Sequence, residues 1–82
     1  AIRDIIYIMI KKIDLHGYKL EEAIDLVERE IGVIRMKAIE SDLYIITGRG
    51  VIRVELLKYL KKHDIDHSFE LGNDGAIIIR VD

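Results

Sequence analysis

The 82-residue sequence contains no cysteine, which excludes a disulfide framework and any zinc site built from thiolates. Long apolar runs are also missing. The run Ile5–Ile10 spans six residues, whereas a membrane-spanning helix needs about 20. No small-residue cleavage site follows this run, so a secretory signal is not expected. These absences predict a soluble, cytoplasmic protein without a membrane partner.

The chain is long enough for one domain and too short for two. A domain of this size buries only about two-thirds of its unfolded surface, so its core has to be efficient. Half of the residues are hydrophobic, which satisfies that requirement.

The net charge of −2 alone argues against a nucleic-acid partner, but the charges are unevenly distributed. Residues 49–63 contain five basic residues against one acid, a local balance of +4. Residues 21–30 contain five acids against one arginine, a local balance of −4. An acidic protein can therefore carry a basic helix face, although two ordinary solvated helices would give the same pattern.

Hydrophobic periodicity predicts two helices and four strands. The predicted elements are a strand over residues 12–15, a helix over 20–39, strands over 43–46 and 68–71, a helix over 51–63 and a strand over 77–81. Ser41-Asp42 is predicted as a turn, and Gly72–Gly75 as a hairpin turn. Residues 1–11 are interpreted as an N-terminal extension, for which helix and strand both stay open.

The element order β-α-β-α-β-β predicts an α/β two-layer sandwich over residues 12–82. Both helices should cover one face of a four-stranded mixed sheet, because two βα units give parallel strands and the hairpin adds an antiparallel pair. The apolar run Leu43–Ile46 indicates a central strand covered on both faces.

Two loops follow strands and open helices, so they should meet at the carboxyl ends of the strands, where ligands usually bind. The loop Thr47-Gly48-Arg49-Gly50 could present backbone amides and the start of a helix to a phosphate, with Arg49 and Arg53 as added cations. Neither the P-loop nor the dinucleotide pattern is completed after these glycines. An ordinary strand-to-helix turn is the alternative interpretation.

Asp14 and His16 lie two residues apart at the end of the first strand. An aspartate can orient an imidazole or bind a hydrated cation, and a histidine can exchange a proton near neutral pH. The alternative is a structural aspartate beside a half-buried histidine. His63 and His67 fit no such constellation and are interpreted as surface residues, and the four tyrosines show no stacking pattern.

Taken together, the two loops resemble the small MutS-related (Smr) family. The segment Ile13–Gly17 resembles its Leu-Asp-Leu-His-Gly motif, and Glu21-Glu22-Ala23 its following helix start. Thr47–Gly50 resembles its Thr-Gly-x-Gly turn, and the ending Gly72–Ala76 its Gly-x-Gly-Ala turn. The resemblance extends over residues 12–82.

This resemblance implies a two-layer α/β fold that binds or cleaves DNA or RNA, with some members acting on stalled ribosomes. Carried over by position, Asp14 and His16 would be catalytic. Gly48, Arg49 and Gly50 would hold the backbone phosphate. The neighbouring Lys19, Thr47 and Arg53 complete the predicted nucleic-acid-binding site. A Mg²⁺ or Mn²⁺ ion at Asp14 stays open, although one carboxylate makes a poor dedicated metal site.

The sequence departs from the family pattern at two places. Many members carry a His-Ser segment between the Thr-Gly-x-Gly turn and a Gly-x-Leu-Arg helix start, which Gly50–Arg53 resembles. This segment is missing here, since Gly50 serves both motifs. Lys19 replaces the usual helix-capping threonine, which forgoes a cap worth about 1 kcal/mol. The leading hypothesis is an endonuclease using Asp14 and His16, because this pair is intact. The shortened loop favours the second hypothesis, a binding module without chemistry. The third is an interaction domain whose basic helix is only solvated surface.

Overall fold

The computed structural model describes residues 9–37 and 41–81, and for Met9 and Ile10 only the backbone. The elements are β1 (Met9–Asp14), α1 (Leu20–Lys37), β2 (Ser41–Ile46), α2 (Val51–Lys62), β3 (His67–Ser68) and β4 (Ala76–Val81). This confirms the predicted β-α-β-α-β-β order.

The four strands form one mixed sheet in the order β1-β2-β4-β3. Strand β1 runs parallel to β2, with Asp14 opposite Ile46, and β4 runs antiparallel to both β2 and β3. The last strand in the sequence is therefore inserted between two earlier ones.

The two helices cover one face of this sheet, as predicted. Along β2 the residues alternate between buried and half-buried, and the buried ones include Leu43 and Ile45. These pack in one cluster with Ile77 and Ile79 of β4 and with residues from both helices. The opposite face carries Tyr44 and Ile46, which stay half-exposed. The prediction that β2 is covered on both faces is therefore wrong, since its apolar run includes side chains of an uncovered face.

Helix α1 forms where the sequence places apolar residues every three or four positions. Ala23, Val27, Ile31 and Ile34 are buried along one stripe. The Lys19 backbone N–H, just before the helix, donates to Glu22 Oε1 at 3.1 Å. This is one of the two hydrogen bonds of a capping box. The other, from a backbone N–H of the first turn to the side chain of the cap residue, is the one lost with lysine at this position. Of the predicted end of the helix, residues 38 and 39 lie outside the described residues.

Ser41 and Asp42 begin β2 and do not form the predicted turn. Ser41 pairs with strands on both sides, and Asp42 Oδ1 accepts a hydrogen bond from Arg80 Nε at 3.1 Å. Cross-strand pairing thus overrides the turn preference of these two polar residues.

The strand predicted over residues 68–71 forms, but it is shorter than predicted and begins one residue earlier, at His67. Pairing of β3 with β4 ends at Ser68, and the chain then turns, with the Asn73 N–H donating to the Glu70 carbonyl at 3.1 Å. Phe69 and Leu71 consequently project outward, 52% and 101% exposed.

At the amino end, β1 begins at Met9, three residues earlier than predicted. Residues 9–11 are therefore strand, whereas residues 1–8 of the predicted extension lie outside the described residues. Within the described part of the chain, no helix is both long and apolar enough to cross a membrane.

Candidate functional site

The loops after β1 and β2 lie side by side, as the topology predicts. The Leu15 N–H donates to the Ile46 carbonyl at 2.9 Å, which extends the parallel ladder one residue beyond β1. Neighbouring strands lie about 4.8 Å apart. Continued by one residue, the register of β1 and β2 places Leu15 opposite Thr47, so the first loop starts at His16 beside the start of the second.

The first loop is stabilised by its own aspartate. Asp14 Oδ1 accepts the backbone N–H of His16 at 2.8 Å, and the Tyr18 N–H donates to the Leu15 carbonyl at 3.1 Å. Gly17 has a φ of +83°, a left-handed conformation that favours glycine. The His16 side chain is exposed, and its imidazole forms no hydrogen bond with any described residue. Asp14 thus positions the backbone of His16 and does not orient its ring.

The second loop is held by a distant segment. The backbone N–H groups of Thr47 and Gly48 both donate to the Gly75 carbonyl, at 2.8 and 3.1 Å. Thr47 is buried, and its hydroxyl donates to the Gly48 carbonyl at 2.7 Å. Gly48 has a φ of +73°. These contacts give Thr47 and Gly48 a supporting role, because neither their amides nor the threonine hydroxyl is left for a ligand.

The first turn of α2 provides the amides that this loop lacks. Its first helical hydrogen bond runs from the Val54 N–H to the Gly50 carbonyl, so the N–H groups of Val51, Ile52 and Arg53 have no acceptor within the helix. Gly50 is the N-cap and has no side chain that could accept a hydrogen bond from these groups. A helix start of this kind binds anions through its amides and its dipole.

Three basic side chains lie near this helix start, and they differ in exposure and in their protein partners. The Arg49 side chain is 80% exposed, with its Nε 3.9 Å from Asp74 Oδ2, a loose surface ion pair. Arg53 is half-buried and donates from Nη1 to the Ala76 carbonyl at 3.2 Å. Lys19 is exposed at the end of the first loop. Arg49 is therefore the cation best placed to exchange a protein partner for a phosphate.

A family model described as the Smr domain matches residues 13–82, nearly the whole chain. The chain belongs to the Smr domain family. Smr domains are nucleic-acid-binding modules. No curated protein and no solved structure matches the chain.

In this Smr domain, the turn between β3 and β4 is what supports the second loop. Asn73 Oδ1 accepts the Gly75 N–H at 3.0 Å, and its amide donates to Glu70 Oε1 at 2.9 Å and to the Tyr44 hydroxyl oxygen at 3.2 Å. Tyr44 in turn donates to Glu70 Oε1 at 2.7 Å. This network fixes the Gly75 carbonyl that receives Thr47 and Gly48.

The same network shifts two pKa values. Its hydrogen bonds to Tyr44 and then to Asn73 lower the pKa of the Glu70 carboxyl, because they stabilise the charged form. The hydrogen bond to Glu70 raises the pKa of the Tyr44 hydroxyl. Neutral Tyr44 beside ionised Glu70 is thus the stable pairing at neutral pH.

The basic stretch of α2 does not form one continuous face. Arg53 and Lys62 are nine residues apart, about 2.5 helical turns, so they project from opposite sides. Lys58 and Lys62 line the groove against α1, together with Glu21 and Asp25. Two of the three lysines of α2 therefore face acidic residues of α1. The local charge of +4 is divided, and only its arginine end lies at the sheet edge.

A dedicated metal site is not supported by the described residues, which contain no group of three or more acidic or histidine side chains that could hold an ion. Asp14 contributes one carboxylate, and one of its oxygens already accepts the His16 N–H. This donor set does not fit a resident divalent cation.

Sequence reasoning missed the role of Asn73 and Gly75 in the site. Gly72–Gly75 was recognisable as a turn, but a turn pattern does not indicate which distant backbone N–H groups will donate to its carbonyl.

The two remaining histidines differ in their exposure. His63 is exposed, as predicted, whereas His67 is half-buried in β3, with Nδ1 2.8 Å from the Ile65 carbonyl.

Proposed function

We propose that this Smr domain binds a backbone phosphate of DNA or RNA at the start of α2 and hydrolyses a phosphodiester beside His16. The observation that carries this proposal is the juxtaposition of two things at one sheet edge: a helix start with open amides, and an exposed imidazole. Either feature alone is common in proteins, but together they supply charge stabilisation and proton transfer.

The phosphate is held by the amides of Val51, Ile52 and Arg53, with Arg49 as a bidentate donor. To bind, Arg49 has to leave Asp74, which costs little because both side chains are highly exposed. Lys19 adds a positive charge on the side of the first loop.

The reaction is the addition of water across one phosphorus–oxygen bond. Water forms the new bond to phosphorus, the bond to one sugar oxygen breaks, and the products are a phosphomonoester and a hydroxyl. His16 transfers a proton at this step, either from the attacking water or to the leaving oxygen. The amides and Arg49 stabilise the negative charge on the other phosphate oxygens.

A binding module without chemistry is the second candidate, and one observation favours it. Asp14 binds the backbone of His16 and not its ring, so no side chain among the described residues fixes the tautomer of the imidazole. Under this alternative, the first loop is a recognition surface for structured nucleic acid, including that of a ribosome. A cytoplasmic location stays a prediction from the sequence in both cases.

The catalytic claim is tested with His16→Ala and, as a matched control, His63→Ala, which removes another exposed histidine far from the sheet edge. Each protein is incubated with supercoiled plasmid and with structured RNA, with and without Mg²⁺ or Mn²⁺. We expect His16→Ala to lower cleavage roughly 10²- to 10⁴-fold, whereas the control cleaves like the wild type. If the wild type, His16→Ala and His63→Ala show the same residual cleavage, the catalytic proposal fails and the binding module without chemistry is favoured.

The phosphate site is tested by the salt dependence of binding. Affinity should fall steeply as salt rises, because each phosphate contact releases counterions. Arg49→Ala should reduce the slope of log affinity against log salt by about one unit. Lys37→Ala is the matched control, since Lys37 is an exposed cation at the far end of α1. An unchanged slope for Arg49→Ala excludes that arginine from the interface.

A further inference from the structure

Phe69 has an exposed aromatic ring and has no part in the proposed function. The sequence pattern predicted it to lie within a strand. It lies directly after β3, and 52% of its surface is exposed. The Arg53 guanidinium carbon lies 5.2 Å from the centre of its ring, over the ring face. The His67 ring stands nearly perpendicular to the same ring, at 86°, with 6.0 Å between the centroids.

These contacts restrict the ring but leave much of it accessible. Arg53 lies over one face, and His67 stands nearly perpendicular to the ring. Arg53 is itself anchored by its hydrogen bond to the Ala76 carbonyl at 3.2 Å. Because about half of the residue is still exposed, another planar group can reach the ring, and a ring held in this way loses little conformational freedom on stacking.

Arg53 also connects this ring to the phosphate site. Its backbone N–H is one of the open amides in the first turn of α2, and its side chain lies over Phe69. A phosphate held by those amides therefore has an aromatic ring within the reach of a single arginine side chain. In nucleic acids a base is attached to every sugar-phosphate unit, so a base next to the bound phosphate can reach this ring.

We propose that Phe69 is a stacking platform for an unpaired base next to the phosphate bound at α2. This inference rests on the proposed function and specifies its substrate class: single-stranded or looped nucleic acid, not a fully paired duplex. Inside a duplex both faces of each base are already stacked, and only the outer faces of the two terminal pairs are open, so the ring favours an unpaired base. Aromatic platforms of this kind are tolerant of sequence, since every base has a π-face.

The test compares two probes of the same length: a hairpin with unpaired loop nucleotides and a blunt, fully paired duplex. Phe69→Ala should weaken binding of the looped probe roughly 5- to 140-fold, the range expected for losing one base–aromatic stack. Binding of the duplex should stay unchanged, and Phe69→Tyr should bind the looped probe like the wild type. Leu71→Ala is the matched control, because Leu71 is an exposed apolar neighbour without an aromatic ring.

A second measurement detects the stack directly. The chain contains no tryptophan, so Phe69→Trp introduces a single fluorophore. Its emission should be quenched by the looped probe and not by an otherwise identical probe with abasic sites in the loop. Leu71→Trp places the same fluorophore two residues away and should respond equally to both probes.

The outcomes separate this inference from the proposed function. If the wild type binds neither probe at low salt, both fail. If it binds both with steep salt dependence while Phe69→Ala weakens them equally or not at all, only the platform is excluded. If Leu71→Ala is as damaging as Phe69→Ala, the two side chains form an apolar contact surface and not a stacking site, which also overturns the inference.

Discussion

The loops after β1 and β2 occupy equivalent places at one sheet edge, yet they are stabilised in opposite ways. The first loop is self-contained, since Asp14 binds the amide of a residue two positions later. The second depends on Gly75, a residue 28 positions away from Thr47. One loop offers a side chain, His16, and the other offers the backbone of a helix start.

In the proposed function, the first loop therefore carries the residue for proton transfer and the second carries the phosphate site, and each loop has its own support. Changes within the first loop should alter the placement of His16 without moving the helix start. Changes in the turn between β3 and β4 should loosen the helix start without reaching His16. Five predictions test this separation.

The largest effect is expected from Asp14. Asp14→Ala removes the acceptor for the His16 amide, and misplacing a reactive group by about 1 Å can cost about 10²-fold in rate. Asp14→Asn keeps an oxygen in that place and should lose much less cleavage than Asp14→Ala. Initial cleavage rates and binding constants are measured for both. Equal losses would mean that the carboxylate charge itself acts in the reaction, and not its contact with the amide.

The next largest effect is expected on stability, when alanine replaces a loop glycine that has a positive φ. Gly48 and Gly17 have positive φ and open space around the Cβ position, so alanine at either should cost about 1–2 kcal/mol from backbone conformation alone. Gly50→Ala is the control, with a φ of −96° and equally open space. Chemical denaturation measures all three. A Gly50→Ala loss as large as that of Gly48→Ala would contradict this origin.

Asn73→Ala tests the distant support of the second loop. It removes the acceptor of the Gly75 N–H and should destabilise the domain by about 1 kcal/mol. Hydrogen exchange should accelerate at the Thr47 and Gly48 amides and stay unchanged at His16. Faster exchange in both loops would show that they open together and are not stabilised independently.

A smaller effect is expected at Asp74, which competes with phosphate for Arg49. Asp74→Asn should tighten nucleic-acid binding at low salt by up to about fivefold, the scale of an exposed ion pair. The gain should vanish at high salt, and thermal stability should not change. Unchanged affinity at low salt would show that Arg49 does not leave Asp74 for the ligand.

The smallest effect concerns pH. The pKa of Glu70 is lowered from its ordinary value of 4.5 in the folded protein, so its ionised form favours folding at neutral pH. This contribution is lost as pH falls from about 4.5 through the lower folded value. Glu70→Gln should therefore melt slightly below the wild type at pH 7, and the two should converge in acid. A difference that persists at low pH would assign the effect to packing.

Features with local causes could be predicted from the sequence. The stripe of apolar residues from Leu20 to Ile34 predicted α1, and the order of elements predicted that the loops after β1 and β2 lie side by side. The Smr resemblance extended over almost the same residues as the family match. In each case the signal lies within one element or in the order of elements.

Features that depend on long-range pairing could not be predicted in this way. Ser41 and Asp42 are turn residues by preference, yet pairing on both sides draws them into β2. Phe69 and Leu71 alternate with polar residues as a half-exposed strand would, but the partner strand pairs only up to Ser68. Likewise, nothing near Thr47 indicates that its amide binds the Gly75 carbonyl.

The position of β4 in the middle of the sheet also sets the order in which this protein can be built. Synthesis produces the amino end first, so β1, α1, β2 and α2 are complete before β4 exists. Until β4 is inserted, the Thr47 and Gly48 amides have no carbonyl to bind. This late, non-local step closes a loop of nearly thirty residues and is entropically costly. A nascent chain can therefore carry every residue of the phosphate site while lacking the site itself.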